Sequence, residues 1–256
     1  MSFRSQRRLF LAAMAVLAAF MLWGMAGLPR FGTFAGAYSR LLNATAVRER
    51  AATNVVASIT FDYRGFDTMG EEFILFAAVV GVAILLRAQR DEEERSPSEE
   101  AEGRHAPAAS NAVRALGLGL VGPIVVFGAY VVAHGHLTPG GGFQGGVVLA
   151  TGALLVYLSG EYVTLRRVRP EGLIDAAESA GAGGYVAIGM LGLVAAGSFL
   201  ENFLPLGTPG ALLSAGIILP INAAVGLEVA AGFVLLLSEF LEQTLVVAPR
   251  RGGTGP

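Results

Sequence analysis

The chain has 256 residues, of which 54% are hydrophobic and only 15% charged, with a net charge of −2. Soluble domains carry about 25% charged residues, so most of this chain is solvated by lipid, and a near-neutral chain without a basic field is unsuited to nucleic acid. Cys is absent, which excludes disulfides, thiol catalysis and thiolate metal sites. All eighteen basic residues are Arg, so no Lys is present to carry a proton.

In chain order, the first apolar run is Leu9–Gly27, preceded by Arg4, Arg7 and Arg8. A spanning helix needs about 20 mostly apolar residues, and this run is longer than the core of a cleaved signal peptide. It is read as an uncleaved first span. The outer segment that follows, Leu28–Asp67, contains Thr53–Phe61 (TNVVASITF). That stretch suits either a short strand or an interfacial helix.

The second apolar run, Phe73–Leu86, is too short to cross by itself, so its helix is expected to begin near Thr68 and to bring Glu71 and Glu72 to the outer interface. Thr68-Met69-Gly70-Glu71 has the form of a capping box, in which Thr68 caps the helix and Glu71 returns to its backbone. The functional alternative is an acidic entrance for cations formed by Asp67, Glu71 and Glu72. Residues 91–110 are charged, rich in Pro, Ser and Ala, and poor in large apolar residues, as in a solvated linker.

Four further spans follow, Val113–Ala133, Gly145–Tyr162, Ala182–Leu200 and about Ile221–Val247. The expected architecture is an all-α integral membrane protein of about six transmembrane helices. A two-helix membrane module (1–90) is joined by the linker (91–110) to a four-helix domain (111–247), with a short tail (248–256). Thirteen of the eighteen Arg fall on one side if the N-terminus is inside. The positive-inside bias then places both termini in the cytoplasm. In the third span, Gly117, Gly119, Gly122 and Pro123 make a small-residue region suited to close helix contact and a kink.

The densest motif is HGHLTPGGGFQGG, His134 to Gly146, between the third and fourth spans. Its Pro139, Gly140, Gly141, Gly142, Phe143, Gly145 and Gly146 read as a tight turn with close backbone packing. The motif lacks the ending of a phosphate-binding loop. His134 and His136 are two residues apart, so they do not share a helix face, and no metal site is expected. Either could relay protons at the outer surface, or His134 could simply cap the end of the span.

The last span carries Glu228 and Glu239 on one face, with Glu242 continuing the stripe. Glu239 and Glu242 lie near the inner surface, where solvation accounts for them. Glu228 lies deep, where a carboxylate either pairs with an Arg or carries protons or cations. Asp175 and Glu178, near Arg166, Arg167 and Arg169, read as solvated charges at the inner surface. No Ser-His-Asp arrangement or zinc-protease motif is present, and no repeat relates the halves.

HGHLTPGGGFQGGVVLATGALL together with PINAAVGLEVAAGF resembles the B subunit of Mrp-type (Mnh-type) multisubunit Na⁺/H⁺ antiporters over about Asn111–Val247. The same domain occurs in ion-translocating membrane-bound hydrogenases. TNVVASITFDYRGFDTMGEEFILFAAVVGVAILL is similar to a small hydrogenase membrane subunit, and to the C-terminal end of the antiporter A subunit.

The resemblance implies a non-catalytic, cofactor-free subunit of a cell-membrane complex that exchanges Na⁺ for H⁺. Its partners would be A-, C- and D-like subunits, and it would help to form the cation route. The alternatives are the membrane arm of a redox-driven complex and a purely structural scaffold.

Overall fold

The computed structural model describes residues 3–28, 36–91, 110–168 and 171–246. The expected linker and tail fall outside the described residues, apart from Asp91 and Ser110. The chain divides into two compact units, 1–41 and 42–256.

The first unit holds α1 (Phe3–Ala26) and the beginning of α2 (Ala37–Arg50). Leu9, Phe10, Phe20 and Trp23 of α1 are all exposed. A helix with an apolar surface of this kind is suited to a lipid surround.

The second unit contains the rest of α2, α3 (Val55–Ser58), α4 (Gly65–Asp91), α5 (Asn111–Ala133), α6 (Gly142–Val168), α7 (Glu171–Ala196) and α8 (Ile218–Val246). Six helices of the described residues are long and apolar enough to cross a membrane: α1, α4, α5, α6, α7 and α8. The chain is therefore all-α and multi-pass. Among the described residues no strand forms, and one isolated antiparallel bridge pairs Leu206 with Ala215.

One open expectation is decided and two others are corrected. First, of the strand and the helix that Thr53–Phe61 allowed, a helix forms from Val55 onward. Asn54 caps α3 by accepting from the Val56 N–H at 3.1 Å, and α3 runs directly into a π-helical segment, Ile59–Tyr63. Second, α4 begins at Gly65, so Thr68 lies inside the helix and makes no capping box. Its hydroxyl donates instead to the Thr60 carbonyl at 2.7 Å. Third, α7 begins at Glu171, well before Ala182. The Gly181–Gly184 stretch does not break it, because small residues let α7 lie directly on α8.

Helix α8 is the axis of this unit and packs against α4, α5, α6 and α7. Its N-terminal half supplies Ile218, Ile221, Val225 and Val229 to a core shared with Phe61, Tyr185 and Leu200. Helix α5 leans on α6 at Gly117 and Gly128, where an added Cβ would collide with Ser159 and Leu149. Pro123 sits within the continuous α5.

Candidate functional site

The glycine motif ties three distant parts of the chain together. Gly140 and Gly141 have φ of +136° and +145°, which glycine adopts at little cost. This turn delivers Gly142 to the start of α6, where its N–H donates to the Asn222 side-chain oxygen at 2.8 Å. The Asn222 amide donates in turn to the Ile218 carbonyl at 2.9 Å. From the other side, the Asn54 amide donates to the carbonyls of Gly135 at 2.7 Å and Thr138 at 3.0 Å, and the Asn54 N–H to that of His136 at 3.0 Å. The Thr53 hydroxyl donates to the Leu137 carbonyl at 2.6 Å.

Gly145 and Gly146 lie against α5 and α8, at Val132 and Val229. Phe143 meets Phe233 edge to face at 6.4 Å, and Pro139 is exposed.

Asn222 is fully buried and bridges α6 and α8. Asn222→Ala leaves the Gly142 N–H without this acceptor in the interior, a loss of about 1–3 kcal/mol. The expected result is a lower melting temperature for the detergent-solubilised chain. An unchanged melting temperature would remove the bridging role.

His134 stacks on Tyr130 with ring centres 4.0 Å apart, and its Nδ1 lies 3.0 Å from the Tyr130 carbonyl oxygen at the end of α5. His136 is different: its exposure is 0% and neither ring nitrogen makes a hydrogen bond of ordinary geometry. Burial lowers its pKa below the usual imidazole value, although the nearby carbonyls of Ala211 and Leu212 oppose the shift.

Between the folded and unfolded pKa values of His136 the unfolded chain binds a proton and the folded chain does not. Stability should therefore fall as pH drops below about 6.5, the unfolded value. Melting curves between pH 7.5 and 5 should show this fall, and a flatter profile in His136→Asn. Equal slopes would show that His136 does not contribute to it.

Beyond this knot, Glu72 of α4, Glu178 of α7 and Glu228 of α8 are buried carboxylates. Glu228 is 1% exposed, and both carboxylate oxygens are without a hydrogen-bond partner. It stands ten residues into α8, so about 15 Å from its start and near mid-membrane. Glu72, 5% exposed, turns inward from α4, with one oxygen unpartnered. Glu178, 3% exposed, turns inward from α7, also with one unpartnered oxygen. Glu228 is within electrostatic range of both.

The α7–α8 contact fixes the level of this group. A Cβ on Gly181 would meet the Glu228 backbone nitrogen at 2.5 Å and its Cβ at 2.6 Å. A Cβ on Gly232 would lie 3.5 Å from a Glu178 carboxylate oxygen.

The structure thus separates the acids that the sequence grouped. Asp67 and Glu71 are exposed, whereas Glu72 faces the interior with Glu228. Asp67 pairs with Arg64. Glu178 is not a solvated surface charge, because α7 begins earlier than expected and turns it onto α8; Asp175, one turn before it, is exposed. Glu239 is also buried, and the Glu242 side chain lies outside the described residues.

A cleft of about 920 Å³ opens beside the start of α4, lined by Arg50, Asp62, Asp67, Glu201 and Asn202 among others. Asp62, which sequence reasoning missed, pairs with Arg50. Burial raises the Asp62 pKa, and the Arg50 guanidinium pulls it part of the way back.

This architecture is shared with known membrane subunits. Residues 112–235 match the model of the domain related to the MnhB subunit of Na⁺/H⁺ antiporters, and residues 4–101 match that of the MBH complex's E subunit, MbhE. A solved chain of the membrane-bound sulfane sulfur reductase, an archaeal respiratory membrane complex, is 30% identical with a TM-score of 0.71; the match covers 92% of this chain and 98% of that one. An uncharacterized protein of Methanocaldococcus jannaschii is 32% identical over 198 residues, which cover 70% of this chain and 73% of that protein. The chain belongs to the MnhB-related family of membrane subunits.

The chain spans only a small part of two longer proteins that it matches. A probable K⁺/H⁺ antiporter A/B subunit of Rhizobium meliloti is 33% identical over 130 residues, covering 45% of this chain and 13% of the relative. A chain of the Mrp complex from Dietzia sp. DQ12-45-1b shares the fold with a TM-score of 0.72 at 24% identity, covering all of this chain and 27% of that chain.

Proposed function

We propose that this chain is a non-catalytic membrane subunit of a multisubunit cation/proton antiporter, packed beside A-, C- and D-like subunits. It contributes to assembly and to the ion route. The observation that carries the reading is Glu228: a mid-membrane carboxylate with no hydrogen-bond partner, buried within a chain of antiporter-subunit family. At 1% exposure Glu228 is closed off from the surface of the chain, which favours ion or proton handling over pairing with a basic residue of a neighbouring subunit. A buried acid kept at such cost is a sign of ion or proton handling.

In this reading the outer surface is the side of the glycine motif, and both termini are cytoplasmic. Asp67, Glu71 and the Asp62 cleft form the outer approach, and Glu72 leads inward to Glu228. His134 and His136 belong to the outer knot. Residues 1–90 act as a two-helix module joined by linker 91–110 to the four-helix domain 111–247, ahead of the tail.

A test is deletion of the gene in its native cell, followed by measurement of Na⁺- and K⁺-driven discharge of a pH gradient in everted membrane vesicles. The expected result is loss of discharge, restored by the intact gene. Unaltered discharge would contradict the reading.

The end-to-end likeness to a chain of the sulfane sulfur reductase favours one second reading, the membrane arm of a redox-driven complex. Iron–sulfur proteins purifying with this chain would favour that assignment.

A further inference from the structure

We propose that Glu72, Glu228 and Glu178 form a proton relay, with Glu178 as its inner member, and that the species moving along it is a proton rather than a bare metal cation. The proposal rests on the ion-route reading above and names the ion and the residue below Glu228.

The geometry comes from two glycines. Gly181 brings the α7 backbone against Glu228, and Gly232 opens α8 beside the Glu178 carboxylate. Glu178 precedes Gly181 by three residues, and Gly232 follows Glu228 by four, so the two acids stand one helical turn apart across one helix contact. Glu72 approaches Glu228 from α4, where Val79, two turns further along, reaches Gly232. The acids are strung along the membrane axis and come from three helices.

A dehydrated metal cation needs several oxygen ligands converging on one point. Here the neighbours of the line include Val79, Ala224 and the glycines themselves. Among the described residues no three or more His, Cys, Asp or Glu side chains converge to hold a metal ion. The line does suit a proton. Burial of an ionised carboxylate without a partner is costly, and a bound proton removes that cost. Because no carboxylate of the described residues lies within hydrogen-bond reach of Glu228, each transfer passes through a bridging water. The donor carboxyl gives its proton to the water as the water gives one to the next carboxylate, so the donor becomes the carboxylate, the acceptor the acid, and the water and the total charge are unchanged. The other carboxylates in electrostatic range of Glu72 and Glu178 are Glu71 on α4 and Asp175 on α7.

The test uses the whole complex in everted vesicles, with Na⁺ and then K⁺ as the driving cation, and compares Glu178→Gln, Glu178→Asp and Glu228→Gln. In Glu178→Gln the maximal rate of proton movement should fall about tenfold or more while the half-saturating cation concentration stays within about twofold, with part of the rate restored in Glu178→Asp. A hydrophobic carbodiimide, which couples to protonated carboxyls in apolar surroundings, should label Glu178 in the wild-type complex, and added Na⁺ should not protect it.

A full rate in Glu178→Gln with an inactive Glu228→Gln would remove Glu178 from the route and leave the broader reading standing. Full rates in both would end the relay and the ion-route reading together. A raised half-saturating concentration, or protection by Na⁺, would make Glu178 a cation ligand and overturn the proton assignment. If Glu178→Gln fails to assemble on a native gel, Glu178→Asp and the labelling decide. An unlabelled Glu178 then overturns the proposal.

Discussion

Glu228→Gln should abolish cation-driven proton movement while leaving the complex assembled. The substitution keeps the shape of the side chain and removes only its ability to gain and lose a proton. Neither carboxylate oxygen has a hydrogen-bond partner to lose, so little stability is at stake in the exchange. The expected rate is about tenfold or more below wild type, at an unchanged level of complex in the membrane. Antiport in everted vesicles and native gels of the same membranes check the two halves of this result. A wild-type rate in an assembled complex would end the role of Glu228.

The second large effect concerns packing. Gly181→Ala should destabilise the chain, whereas Gly184→Ala, one turn away on the same helix, should be tolerated. A methyl group on Gly181 would lie 2.5–2.7 Å from the Glu228 nitrogen, the Glu228 Cβ and the Ala224 carbonyl oxygen. All three atoms belong to the backbone or lie next to it on α8, so α7 and α8 must separate. Overpacking of this kind costs about 1–3 kcal/mol. At Gly184 the same methyl meets the Ala224 Cβ at 3.5 Å, an ordinary contact. Melting temperatures of the solubilised chain should fall for Gly181→Ala only. Equal melting temperatures would show that α7 does not lie on α8 as closely as described.

The spans were legible because lipid imposes a simple length rule, which the apolar runs satisfied once Phe73–Leu86 was extended toward Thr68, and six spanning helices form. Their ends were harder to read. The early turns of α4 carry Asp67, Glu71 and Glu72, so hydropathy alone begins that helix too late. The same weakness hid α7 from Glu171 to Gly181, and with it the inward turn of Glu178. Adjacent acids posed a different problem. Glu71 and Glu72 point about 100° apart on a helix, and the sequence does not say which of the two meets a partner helix.

The glycine motif announced a tight turn, and Gly140 and Gly141 supply its positive φ angles. Its fasteners were hidden. Asn54 and Asn222 act on residues about 80 positions away in the chain, and no local pattern marks such pairs. A hint was available at Asn222, a lone amide in the apolar first turns of a spanning helix, where an unpaired polar group is costly. His136 gave no such hint, since His134 two residues earlier has the same appearance in sequence and a quite different environment.

The central claim, that this chain works as one subunit of a cation/proton antiporter, is tested most directly by purifying it with mild detergent from its native membrane and identifying what accompanies it by mass spectrometry. The account predicts A-, C- and D-like antiporter subunits in fixed ratio to this chain. A stable chain purified alone, with no other membrane subunit, would contradict it.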